Sequence, residues 1–204
     1  MAITNGYATL NQLKAALRMG TADTTDDSLL EMAIESASRL IDDDCDRVFY
    51  ASGTAVARYF APASGVIAFI DDAISITAVA TDEDVDGTYE QVWATTDWQA
   101  EPLNSLNAGQ AWPTTRLRAI GDHAFPTQGG EATLKVTGQW GFGTAVPTII
   151  TQACVIQASR HYKRLDAPFG VAGFGEMGAV RVSRTDPDVY ALISKYRRTK
   201  VATA

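Results

Sequence analysis

Histidine and cysteine are the scarcest of the residues that carry chemistry, with two of each among 204. Cys45 and Cys154 stand far apart, so neither a metal-ligand spacing nor a redox pair is available. A small secreted scaffold built on disulfides is excluded. Long apolar runs are also missing: none approaches the roughly 20 residues a membrane span needs. The opening MAITNGYATL has no charged n-region and no apolar h-region, so neither a membrane span nor a secretory leader is expected. Basic residues are few, 17 against 24 acidic, and the resulting net charge of −7 argues against a general nucleic-acid binder.

Catalytic signatures are absent too. There is no G-x-S-x-G, no H-E-x-x-H and no phosphate loop of the G-x-x-x-x-G-K-[ST] type. His161 follows Cys154 at a spacing of two helical turns, about 10 Å of rise, beyond hydrogen-bond reach. A core cysteine and a surface histidine are the expectation. Gly173-Phe-Gly175-Glu-Met-Gly178 fits G-x-G-x-x-G, but a helical pattern precedes it and a strand-like AVRVS follows. That is the reverse of the dinucleotide context. Asp82-Glu-Asp84-Val-Asp86-Gly87 copies the first half of a calcium loop, yet position 12 falls on Trp93, where a bidentate Glu is needed. An acidic hairpin tip is the better reading, because Asp86-Gly87 is a turn dipeptide between alternating segments. The expectation is therefore no catalytic, cofactor-binding or metal residue, no cofactor and no enzyme.

What is present is a patterned globular chain, 46% hydrophobic and 20% charged. Thr9 reads as the N-cap of a short helix over Leu10, Leu13 and Leu17 that stops at Gly20. A second helix follows, with Leu29, Ala33, Ile34, Ala37, Leu40 and Ile41 at helical spacing and Asp26 and Asp27 at its start. Asp42, Asp43 and Asp44 near its far end oppose the helix dipole, so either the helix ends early or these acids meet an outside partner. Then ARYFA, VIAFI, ISITAVAT, TYEQVWAT, TRLRAI and ATLKVTGQW read as strands separated by turn clusters. All four tryptophans fall there and are expected to fill a β core, some of them at a subunit interface. Pro147 opens a third helix ending in Arg160, Lys163 and Arg164; APFGVAGFGEMGAV reads as a mobile glycine-rich loop; Asp186-Pro187 opens a last helix.

The expected organisation is α+β. About four helices form a helical core, with a β-rich insertion between the second and third. The boundaries are 1–54 for the N-terminal helical part, 55–142 for the insertion and 143–204 for the C-terminal helices, joined by the glycine-rich loop at 166–182. Charge divides unevenly: residues 1–100 carry 17 acids and 5 bases, residues 101–204 carry 7 acids and 12 bases. Such asymmetry points to two surfaces with different neighbours.

The element order, with the phrases YATLNQLKAAL, DDSLLEMAIESASRLIDDDCDRVFY, VATDEDVDGTYEQVW, TDWQAEPLN and VTGQWGFGTAVPTIITQACVIQASRHYKR, resembles the head–tail connector (adaptor, or head-completion) proteins of long-tailed double-stranded DNA bacteriophages. The most specific phrase is the last, a strand ending in Trp-Gly before Val-Pro and a helix of small residues. The resemblance implies a structural virion protein, made in the host cytoplasm and placed in the neck. About twelve copies would form a ring beneath the portal protein, extending the channel for packaged double-stranded DNA. That ring would offer a docking surface to the next tail-side protein, a stopper or tail terminator. It further implies a C-terminal segment facing portal or DNA, here Lys195, Tyr196, Arg197, Arg198 and Lys200. Asp42, Asp43, Asp44, Arg160 and Arg164 are candidates for the subunit interface. A net-negative lumen would keep DNA from adhering, since phosphate affinity comes from Lys and Arg. The competing readings are another neck or tail-end protein, itself a stopper or terminator, and a DNA-binding module; four helices and the net charge of −7 speak against them.

Overall fold

The computed structural model describes residues 3–107, 110–165, 171–175, 178–181 and 186–198. The chain divides into two compact units, Met1–Arg47 with Val146–Thr199, and Val48–Ala145.

The first unit is helical. Helix α1, Leu10–Leu17, starts at a capping box in which Thr9 and Gln12 satisfy each other's backbone N–H groups. Helix α2, Asp27–Cys45, packs on α3, Thr148–Lys163, through Ala37, Ser38, Ala153, Cys154 and Ala158, all fully buried. Small side chains let the two backbones approach. Ser38 donates to the Ile34 carbonyl at 2.7 Å and accepts the Tyr7 N–H at 3.0 Å, so its hydroxyl is satisfied inside the core. Lys14 is buried as well, its ammonium 2.6 Å from the Asp23 carbonyl and 2.5 Å from the Asp27 carboxylate. It ties α1 to the start of α2. Helix α4, Pro187–Ile193, is capped by Asp186 and gives way to a 3-10 turn, Ser194–Tyr196.

The second unit is a six-stranded antiparallel sheet. Its strands are β1 (Val56–Phe60), β2 (Ile67–Thr81), β3 (Gln91–Trp93), β4 (Trp98–Glu101), β7 (Thr114–Ala119) and β8 (Leu134–Trp140), in the order β1-β8-β2-β7-β4 with β3 also on β2. Two short strands, β5 (Leu106–Asn107) and β6 (Gln110–Ala111), pair with each other. Strand β8 alternates buried and half-buried along its length, the pattern of a sheet covered on one face. Its inward residues join Ala68, Ile70, Val79, Trp93, Leu117 and Phe125 in one core, with Trp93 stacked on Phe125 at 4.8 Å.

This sheet corrects the expected architecture. The class is α+β, but the β-rich stretch is not an insertion decorating a helical core. It closes its own hydrophobic core and stands as a unit in its own right. Two segments read as separate strands, VIAFI and ISITAVAT, are one 15-residue strand. Asp71 and Asp72 look like a turn in sequence. In the fold they sit within a bulged stretch of β2, with register shifts between Phe69 and Ala73, Ala73 and Ser75, and Ile76 and Ala78. Within the stretch read as a mobile loop, Val171–Gly175 (β9) and Gly178–Arg181 (β10) form an antiparallel ribbon. The rest of that stretch lies outside the described residues. Of the tryptophans, Trp93 and Trp140 are buried and Trp98 and Trp112 half-buried.

The end of β8 is where the sheet unit is fastened. The Trp140 N–H donates to the Ser52 hydroxyl at 2.8 Å, its carbonyl accepts the Ser52 N–H at 2.7 Å, and its indole N–H donates to the Val56 carbonyl at 2.7 Å. Gly141 follows at φ 127°, and a Cβ there would lie 2.2 Å from the Tyr50 carbonyl oxygen. Gly138 faces the β2 bulge, where a Cβ would lie 2.3 Å from the Ser75 carbonyl oxygen. Alanine at either position forces backbone apart. Gly138→Ala is expected to cost about 1–3 kcal/mol, the range for overpacking a tight site. Gly20→Ala, with nothing within 4 Å of the new methyl, should stay within about 0.5 kcal/mol; urea denaturation of the two variants checks the contrast.

Glu101 is buried between Arg118, 2.8 Å away, and Arg116. The Arg118 bond, with Arg116 adding to it against the cost of desolvation, holds its carboxyl below the usual 4.5. A depressed folded-state pKa stabilises above the unfolded value, and the stabilisation is lost as pH falls through the folded one. Glu101→Gln is therefore expected to lower the unfolding midpoint at pH 7, with the gap to the parent chain closing below pH 4.5, as thermal denaturation across pH would read.

Candidate interaction surfaces

The residues singled out from sequence fall in two places: Asp42, Asp43 and Asp44 with the C-terminal segment at the end of α2, and Arg160 and Arg164 at the end of α3, where Tyr162 donates to Asp26 at the start of α2. Helix α2 does not end early: it runs through Asp42, Asp43 and Asp44 to Cys45, and Asp46 closes it in the left-handed conformation. The unfavourable dipole is answered inside the chain. Asp42 is 3.0 Å from Arg39 and accepts the Tyr7 hydroxyl. Asp44 is 3.7 Å from Arg197. Asp43 is exposed.

The C-terminal segment lies against the same helix end. The Arg198 N–H donates to the Cys45 carbonyl at 2.8 Å. The Arg197 guanidinium covers the Tyr190 ring at 4.3 Å and donates to its hydroxyl at 3.2 Å. Lys195 is exposed, its ammonium 4.9 Å from the Tyr196 ring. Tyr196 is fully buried in the helical unit. Helical spacing puts it in line with Val189, Leu192 and Ile193, and that apolar line decides its direction. Lys200 lies outside the described residues.

Arg160 is 2.9 Å from Asp186, the cap of α4, so part of its charge serves to dock that helix on α3. Arg164 is exposed at the end of α3. Of the ten residues, Asp43, Arg164 and Lys195 thus keep clearly outward positions, while Asp44 and Arg197 meet each other within one chain.

Among the described residues, the histidine of α3 and the two cysteines are held by local partners and burial. His161 is 2.7 Å from the Gln157 amide, and burial, with Arg164 and Arg160 nearby, holds its pKa below the ordinary value. Cys154 is buried, its sulfur 3.4 Å from the Ser38 hydroxyl. Burial pushes the Cys45 thiol up to about 12. Both cysteines are free. The segment Asp82–Glu90 joins β2 to β3 as the expected hairpin tip. Carboxylates of Asp82, Asp84, Asp86 and Glu90 lie within 4.8 Å of one another. Asp82 is buried there and accepts the N–H groups of Val85 at 2.8 Å, Gly87 at 2.8 Å and Asp86 at 3.3 Å. Those bonds account for the closure of the loop. They also outweigh desolvation and lower the Asp82 pKa. The G-x-G-x-x-G glycines fall on β9 and β10, not on a strand-to-helix turn.

Sequence reasoning missed the Arg116–Glu101–Arg118 cluster. The signal was a lone acid, three residues after Trp98, set beside an R-x-R spacing that puts both arginines on one sheet face.

The sequence matches no protein-family model and no curated protein. Among solved structures, the fold is similar to a chain in the neck of an empty gene transfer agent particle computed with C6 symmetry. The match has 19% identity and a TM-score of 0.59, and covers 98% of this chain and 94% of that one. It is similar as well to a chain in the virion of the native gene transfer agent particle, at 19% identity and TM-score 0.61 over the same shares. No described helix is long and apolar enough to cross a membrane.

Buried protonated thiols react slowly. Cys45 and Cys154 are expected to resist a thiol reagent such as DTNB in the native chain at pH 8 and to react fully in 6 M guanidinium; prompt native labelling of either would contradict their placement. Tyr196→Ala should lower stability by about 3–5 kcal/mol, the cost of emptying a large aromatic site, measured by urea denaturation.

Proposed function

We propose that this chain is a structural protein of the neck of a phage-like particle. In this reading about twelve copies form a ring beneath the portal protein. The ring prolongs the channel for double-stranded DNA and presents a docking surface to the next tail-side neck protein, a stopper or tail terminator. It has no catalytic role and needs no cofactor. The observation that carries the reading is the similarity to a neck chain over nearly the whole of both chains, both units included.

The electrostatics suit this role. Copies related by a head-to-tail interface close into a ring when the rotation permits. The exposed cations Lys195 and Arg164 and the exposed Asp43 are the contacts the reading assigns to the portal and to neighbouring copies. Pairing of Asp44 with Arg197 inside the chain lowers what that part of the surface offers to DNA phosphates, which favours a neck component over a DNA-binding module.

The test is mass in solution, with the chain alone and mixed with the portal ring of its particle, by native mass spectrometry. Attachment of many 21.9 kDa copies to the portal is the expected result. A chain that stays monomeric and leaves the portal bare would overturn the reading. Lys195→Glu combined with Arg164→Glu is expected to reduce attachment at least tenfold while leaving the thermal midpoint unchanged.

A further inference from the structure

Two uncovered surfaces in this chain have complementary character. The first is the outward side of α2. Leu29, Met32 and Leu40 lie on it at spacings of three and eight residues, one stripe of the helix. All three are exposed, Met32 at 52%. Asp43 borders the stripe, as do Glu35, which accepts the Thr4 N–H, and Arg39, which is paired with Asp42 at 3.0 Å; of the charges α2 carries, Arg39 is the one cation. The opposite side of α2 is filled by α3, so this stripe is not needed for the helical core.

The second surface is the face of the six-stranded sheet that points away from its core. Leu117, Leu134 and Val136 face the core, so their neighbours Arg116, Arg118 and Lys135 face outward. Cross-strand partners share a face. Lys135 stands opposite Tyr59 on β1 and Ala80 on β2, and Ala80 opposite Val92 on β3. Tyr59 and Val92 are 55% and 68% exposed. Of the four cations in residues 55–142, three lie on this one face. Glu101 holds two of them through their Nε atoms, so they are fixed in place before any partner arrives.

We propose that the outward face of the sheet receives the outward stripe of α2 from a second copy of this chain. The occupant follows from charge and shape together. A cationic, aromatic, flat surface faces an acidic, apolar, narrow ridge. Each copy has one of each, so the contact is head-to-tail and can propagate to closure. Apolar groups at the centre and charges at the margin are the arrangement of a specific protein interface. The inference rests on the ring reading, and supplies the contact that reading lacks.

Met32→Glu and Val92→Glu place a charge at the middle of each surface. Both positions are exposed, so each variant should keep the thermal midpoint of the parent chain. In the portal assembly measured by native mass spectrometry, each is expected to reduce the ring population at least tenfold. Glu35→Lys and Lys135→Glu should each weaken assembly, and their combination in one chain should recover part of it. Full rings from both Met32→Glu and Val92→Glu would overturn this interface while leaving the ring reading intact. A parent chain that forms no ring on the portal would overturn both.

Discussion

The sheet unit depends on one closely packed junction, the Trp140–Gly141 corner. Here the last residue of β8 exchanges two backbone-side hydrogen bonds with Ser52, and its indole reaches back to Val56 at the start of β1. Gly141 then turns the chain, its N–H on the Asp72 carbonyl at 2.8 Å, and Phe142 continues onto Val48 at 2.9 Å. The entry to the unit, the centre of β2 and the exit from β8 thus meet within a few residues. A side chain at Gly141 would strike Tyr50 backbone, so the corner tolerates only a residue without a Cβ. Arg58 lies 4.7 Å over the Trp140 ring and is itself 2.6 Å from Asp71. The same tryptophan therefore also orders the charges on the rim.

The helical unit solves a different problem. Its core contains a lysine, a serine and two cysteines beside the aliphatics, and the polar atoms of the lysine and the serine are matched locally. Burial of Lys14 is tolerated because its ammonium meets both a carbonyl and a carboxylate; unpaired, it would be costly. The acidic end of α2 is treated similarly, through Arg39, Tyr7 and Arg197. The acidic and basic halves of the sequence meet within one chain through Asp44 and Arg197 at the end of α2.

Much of this was legible beforehand, for identifiable reasons. The helices showed because capping residues and apolar spacing are local: Thr9, Asp186 and the Leu30–Ile41 periodicity lie within a few residues of the groups they act on. The hairpin tip at Asp86-Gly87 showed for the same reason. The unity of β2 did not, because Asp71-Asp72 reads as a break unless the bulges that absorb it are known, and bulges are set by partner strands far along the chain. The standing of the sheet as a unit with its own core was hidden for a related reason: strand patterns say which residues are inward, but not how many strands share one core. Among candidate site residues, the direction of Tyr196 was readable from its line with Val189 and Ile193, whereas the pairing of Asp44 with Arg197 spans the chain and leaves no local trace.

The length of β2 has a consequence for how the chain reaches this state. Of the strands paired with β2, only β3 lies near it in sequence; its longest pairing is with β8, more than fifty residues on. During synthesis, hairpins β2–β3 and β4–β7 can form early, but β2 keeps an open edge until residues 134–140 emerge. Contacts of this separation form late and slowly. Until then the emerging chain carries a 15-residue strand able to pair with the same strand in another nascent chain. Crowded synthesis of many copies makes that interval the vulnerable one, and two adjacent charges in the first half of the strand, Asp71 and Asp72, are the kind of residue that disfavours such mispairing.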